Sequence, residues 1–250
     1  DNILFGKNPR LKDEFNRLFK AIFSNPEDCK KIIRLLAKKH VGFTREEIAK
    51  ETGLPFGGGL TDTLNALVES DFIQRYRPYN VSGKVSFYKL IDNFSLFWLK
   101  YVEPNTEDIN FMTDNMTSNI MRVWRGVAFE EVCWQHIGQI KLALGISGVN
   151  SSISAWSVKD NDNKEGVQID LLIIRNDNVV NLCEMKFAGD IYSIDKEEDA
   201  KIRNRIQTLI NTLSPKQSVH LTMITTYGVS HTMYGGRVQQ QVILDDLFQS

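Results

Sequence analysis

The stretch Gly166-Val167-Gln168-Ile169-Asp170-Leu171-Leu172-Ile173-Ile174-Arg175-Asn176-Asp177-Asn178-Val179-Val180-Asn181-Leu182-Cys183-Glu184-Met185-Lys186 decides how this chain is read. Two apolar runs of strand length, 167–174 and 179–187, flank Asn176-Asp177-Asn178. That pattern predicts a β-hairpin, with Asn178 suited to the left-handed position a three-residue loop requires. In such a hairpin residue 175 faces 179, and every further pair adds to the same number, 354. Asp170 then lies opposite Glu184. Because strand side chains alternate, Glu184 and Lys186 share one face while Cys183 and Met185 take the other. A loop one residue longer or shorter would move Asp170 to the opposite face.

Two carboxylates set across a strand pair repel unless something compensates. Paired acids with oxygen donors are what Mg²⁺ or Mn²⁺ requires, and a lysine two residues on can orient a water or stabilise charge developing at phosphate. The plainer reading of Glu184-x-Lys186 is an ion pair at an exposed strand end.

Working outward, strands are predicted over 152–158 and 219–225, a helix over 196–213 ahead of Pro215, and a strand with a helical turn over 238–248. Before them a long helix is predicted from Trp124 to Leu144, ending at Gly145. Projected at 100° per residue, its polar stripe holds Glu131, Gln135, Gly138 and Gln139, while Glu130 falls beside Trp134 and Ile137 on the packed side. A carboxylate there needs a partner or a metal, so Glu130 is the helix acid singled out. Helix, three strands, helix, strand predicts an α/β sandwich on a mixed sheet.

The first ninety residues read differently. Helices are predicted around 8–23 and 26–40, then from the capping box Thr44…Glu47 to Gly53, then over 60–70. Strands at 72–76 and 85–90 follow, and three helices with a β-hairpin in this order predict a winged helix-turn-helix. The last helix offers Thr61, Asp62, Asn65 and Glu69 but no cation, and only the wing is basic, with Arg75, Arg77, Lys84 and Lys89. A spacer or protein-contacting winged helix is therefore the preferred reading, and direct DNA binding the alternative. Gly57-Gly58-Gly59 lacks the following Lys of a phosphate loop and reads as a turn. The apolar helix 93–102 is expected to join two domains, giving 1–92, a connector 93–123, and 124–250.

The balance of 42% hydrophobic and 24% charged residues is that of a folded chain and excludes wholesale disorder. No apolar run spans a membrane and no signal peptide opens the chain. Three scattered cysteines exclude a disulfide framework, and a reduced, cytoplasmic protein is expected. The net charge of −1 hides an asymmetry: residues 1–100 carry seventeen Lys/Arg against twelve Asp/Glu, the rest thirteen against nineteen. A mildly basic half precedes an acidic one. The opening Asp1-Asn2-Ile3 has no initiator Met and reads as the start of a fragment. His40, His136, His220 and His231 have no metal-ligand spacing, and Lys196, Lys201, Arg203 and Arg205 form one basic helix face, either solvated or touching phosphates. The four tryptophans, Trp98, Trp124, Trp134 and Trp156, are expected in the core.

Gly126-Val127-Ala128-Phe129-Glu130, Ile169-Asp170 and Glu184-Met185-Lys186, in this order, resemble the PD-(D/E)XK restriction-endonuclease-like superfamily. Nearly the whole chain resembles the C-terminal half of archaeal-type AAA+ ATPases, in which a P-loop domain precedes a winged helix and a nuclease-like domain. Ile169 stands where the motif has proline. The resemblance implies Glu130, Asp170 and Glu184 as metal-proximal acids, Lys186 as catalytic lysine, and Mg²⁺ or Mn²⁺ as cofactor. It implies metal-dependent phosphodiester hydrolysis, with DNA as partner and the ATPase domain, absent here, as the only route to ATP. The alternative is a non-catalytic DNA- or protein-interaction module regulating the ATPase half, oligomeric or not. Arg75, Arg77, Lys84 and Lys201 are the cations expected at nucleic acid.

Overall fold

The computed structural model describes residues 1–6, 8–79, 85–158 and 166–249. It is a mixed α/β structure with a three-stranded and a five-stranded sheet. The chain divides into two compact units, Asp1–Arg75 with Ser86–Glu131, and Tyr76–Val85 with Val132–Ser250. The boundary differs from the expected one. The segment 93–123 belongs to the first unit instead of forming a connector, because its Trp98, Tyr101, Val102 and Phe111 are buried in that unit's core.

In the first unit, α1 (Glu14–Ile22) and α2 (Pro26–Leu36) bury Phe15, Phe19, Ile32 and Leu36. Pro26 stands in the first turn of α2, where its missing N–H removes no helical bond. After β1 (Phe43–Thr44), α3 (Arg45–Thr52) is opened by the expected capping box. The Glu47 amide donates to Thr44 Oγ1 at 3.1 Å and the Thr44 amide to Glu47 Oε2 at 2.7 Å. Gly57 caps α4 (Gly58–Glu69), so the glycines start this helix rather than forming a separate turn. β2 (Ile73–Tyr76) and β3 (Phe87–Leu90) complete a sheet ordered β1-β3-β2. Gly42, with φ +78°, leads into β1; a Cβ there would lie 2.0 Å from the Tyr88 carbonyl oxygen, so only glycine lets the strands close. The apolar segment after β3 is α5 (Asn93–Phe97) running into a π-helical turn, Trp98–Val102. Beyond it come the short α6 (Phe111–Asn115) and α7 (Asn119–Gln135).

The helix predicted to Leu144 breaks at His136, and α8 (Ile137–Ala143) follows. The five strands of the second unit lie in sequence order: β4 (Ser151–Val158), β5 (Val167–Arg175), β6 (Val179–Lys186), β7 (Ser218–Thr225) and β8 (Gln240–Ile243). The first three are antiparallel, and β6-β7-β8 are parallel, so α9 (Lys196–Ile210) is the crossover that parallel pairing demands. Ile202 and Leu209 of α9 pack on Leu172, Val180, Leu182, Leu221 and Met223. At the centre of the parallel strands, fully buried Asn181 donates from Nδ2 to Thr222 Oγ1 at 3.0 Å and to Gln240 Oε1 at 2.7 Å. Among the described residues, no helix is long and apolar enough to cross a membrane.

Candidate metal centre

The hairpin register is the one the loop predicts. Ile174 pairs with Val180, Ile173 with Asn181, Leu172 with Leu182 and Leu171 with Cys183, every pair adding to 354. Asn178 takes φ +65°. Asp170 sits one step beyond the last pair, where the neighbouring ladder slips. On β4, Ser154 faces Leu172 but Trp156 faces Ile169, so Ala155 alone opposes Asp170 and Leu171. A β-bulge therefore falls at Asp170-Leu171, the kind of irregularity that re-aims a side chain at a sheet rim. Gln168 Nε2 donates to Asp170 Oδ1 at 2.6 Å.

Glu184, only 7% exposed, is met from α9. Arg205 Nη1 lies 3.1 Å from each of its carboxylate oxygens, and Arg205 Nε donates to the Gln168 carbonyl at 3.2 Å. Lys186 Nζ is 2.7 Å from Glu198 Oε1, and Arg205 Nη1 is 4.0 Å from that same oxygen. Residues 184 and 186 share a strand face, and 198 and 205 are two helical turns apart, so the strand and helix clasp each other through two oppositely ordered ion pairs. Burial pushes the Glu184 carboxyl up to about 7; Arg205 and Lys186 pull it down, and the charges of Asp170 and Glu198 add to the rise. Burial also opposes the Lys186 charge, but the bond to Glu198 and the field of Glu184 outweigh it and hold its pKa above the usual lysine value. Lys186 is thus held as an ammonium.

The donor chemistry fits a hard divalent ion. The acids here offer carboxylate oxygens, and confining Glu184 near a second carboxylate leaves negative charge that a dication relieves.

Glu130 lies in the first unit, at 24% side-chain exposure, with its Oε2 2.8 Å from His40 Nε2. Its neighbour reverses the expectation: Glu131, assigned to the solvent stripe, is fully buried. Gln135, one turn on along the same stripe, is exposed as projected; what covers Glu131 is packing that a wheel does not see, with Lys89 and His40 reaching its carboxylate. Glu131 Oε2 is 3.1 Å from Lys89 Nζ, and Oε1 is 3.3 Å from His40 Nδ1. Burial holds the Glu131 carboxyl above the usual range, against the pull of Lys89 and His40. For His40, burial disfavours the cation, yet Glu130 and Glu131 outweigh it and raise its pKa.

Among the cations expected at nucleic acid, Arg75 and Arg77 are exposed. Lys84 lies outside the described residues, and Lys201 is exposed but 2.7 Å from Glu197. Lys89, expected on the wing, is 3% exposed and committed to Glu131. The basic face of α9 is largely neutralised as well, with Arg203 on Asp199 at 3.0 Å and Arg205 turned inward to Glu184. Sequence reasoning missed Arg205 as the partner of Glu184, His40 as that of Glu130 and Glu198 as that of Lys186. Only the seven-residue spacing of Glu198 and Arg205 hinted at a shared helix face.

The chain is 28% identical over 173 residues to the protein named "Uncharacterized protein MJECL04" from Methanocaldococcus jannaschii, a match taking in 67% of this chain and 37% of that protein. No family model and no solved structure matches it.

Proposed function

We propose that the second unit is a restriction-endonuclease-like domain that hydrolyses phosphodiester bonds in DNA with Mg²⁺ or Mn²⁺. The observation that carries this reading is the hairpin register with its bulge at Asp170, which leaves Asp170 close enough to raise the Glu184 carboxyl, two residues before Lys186. Three helices followed by the paired β2 and β3 support a winged helix in the first unit. With the order of the motifs, this supports placing the chain as the C-terminal half of an archaeal-type AAA+ ATPase, where ATP would act only through another domain.

A bound Mg²⁺ or Mn²⁺ would supply a polarised water and neutralise charge at phosphate. Asp170 and Glu184 are the residues that would hold the ion. Lys186, kept as an ammonium by Glu198, acts as a cation and not as a base: it orients the attacking water and stabilises the negative charge that grows on the phosphate oxygens. Exposed Arg75 and Arg77 contribute sequence-independent phosphate contacts.

Cleavage of single- and double-stranded DNA by the purified chain with Mn²⁺ tests the reading. The wild type is expected to cut, Lys186→Ala to stop cutting while binding DNA almost as well, and Asp170→Asn to lose metal binding and cleavage together. Uncut DNA with the wild type would refute it. A second reading, an interaction module with an inert site, draws on the Arg205 guanidinium occupying both Glu184 oxygens.

A further inference from the structure

We infer that Arg205 is a built-in counter-ion for Glu184, a latch that a divalent ion must displace before it can use that carboxylate. The inference rests on the metal-site reading above and names how that site is regulated. A guanidinium nitrogen lies 3.1 Å from both oxygens of a carboxylate that is only 7% exposed, so little of its oxygen edge is left to solvent. The guanidinium is fixed from its other side by the Gln168 carbonyl at 3.2 Å, and Gln168 also bonds Asp170 through its side chain. One residue thus touches both the latch and the second acid.

The charges around the site account for the closed form. Glu184, Arg205, Glu198 and Lys186 alternate in sign, with successive contacts of 3.1, 4.0 and 2.7 Å along Glu184–Arg205–Glu198–Lys186. Two acids and two bases leave this ring neutral, so the pull on a passing dication comes from Asp170 outside the ring and not from the ring itself. Adding an ion of charge +2 at Glu184 sets it against the Arg205 cation, and both cannot keep the same oxygens in a site of low dielectric. Binding therefore requires Arg205 to swing away, and Glu198 then remains as its nearest acid on α9. The consequence is a raised threshold: the site fills only where divalent ion is plentiful, and the sheet rim stays ion-paired when it is scarce.

Mn²⁺ titration of the full 250-residue chain, followed by electron paramagnetic resonance, tests this. The variants are Arg205→Met, which keeps the apolar stem without charge, Arg205→Lys, which keeps charge without the fork, and Lys196→Met as a control for loss of any cation from α9. Relief of a competing charge at a ligand is worth on the order of 10-fold or more in affinity. Arg205→Met is expected to bind Mn²⁺ at least about 10-fold more tightly than wild type. Arg205→Lys should fall between them, and Lys196→Met should match wild type. If wild type binds Mn²⁺ and folded Arg205→Met binds it no more tightly, the latch is wrong and the metal site stands. If neither binds, the latch and the metal site fall together. Should Arg205→Met give no cooperative thermal transition, Arg205→Lys decides: affinity equal to wild type overturns the latch.

Discussion

Replacing Glu184 by Gln should flatten the pH dependence of stability in the second unit. The folded carboxyl is pushed up to about 7 from an ordinary 4.5. Between those values the folded chain keeps a proton that the unfolded chain has released, so stability falls as pH rises through the window. At about 1.4 kcal/mol per unit, the displacement amounts to roughly 3 kcal/mol of stability present at pH 4 and lost by pH 8. Glutamine keeps the size of the side chain and an acceptor for Arg205, and it removes the titration. The difference between wild type and Glu184→Gln should therefore shift by roughly 3 kcal/mol toward the variant from pH 4 to pH 8. Taking the difference cancels every other titrating group the two chains share. Cys183 gives a local readout, because it adjoins Glu184 and is 2% exposed. The urea dependence of its alkylation, read by mass spectrometry, reports opening of this unit alone. Parallel pH profiles for the two proteins would refute the reasoning.

Lys89→Met should destabilise the first unit by about 3 kcal/mol near neutral pH, since it strands the buried Glu131 carboxylate. That loss should shrink in acid as Glu131 takes a proton, which urea unfolding at pH 5 and pH 8 would reveal. Asn178→Val forces a β-branched residue to φ +65° and should cost about 1–2 kcal/mol, whereas Asn178→Gly should be tolerated; thermal midpoints compare them. Leu182→Ala empties a fully buried position under α9 and should cost about 2–5 kcal/mol by urea denaturation.

The hairpin that carries Asp170, Glu184 and Lys186 could be read from sequence because its determinants are local. Asn176-Asp177-Asn178 fixes the loop, and the loop fixes the register. The same locality exposed the capping box at Thr44 and the stop at Gly145. What escaped depends on distant parts of the chain. Arg205 was placed on a face either solvated or touching phosphates because its partner acid sits on a strand, and no helical period encodes that. Glu131 was read as exposed because Lys89, which makes its burial tolerable, comes from β3, and no helical wheel encodes a partner on a strand. The bulge at Asp170 was also hidden. It arises between β4 and β5, a pair whose connecting residues give no loop rule to count from.

The Asn181 amide has a consequence for how the sheet assembles. β7 and β8 arrive late in the chain, and most of their inward residues are aliphatic, so several alignments bury similar apolar area. Only one brings Thr222 and Gln240 to the Asn181 side chain. A slip of two residues keeps the same face inward but leaves a buried amide without partners, a penalty of roughly 1–3 kcal/mol per unpaired group. The amide thus acts as a proof-reading key: it adds little to the finished sheet, and it rejects the alternative alignments in which Glu184 and Lys186 would stop at the wrong height along the rim.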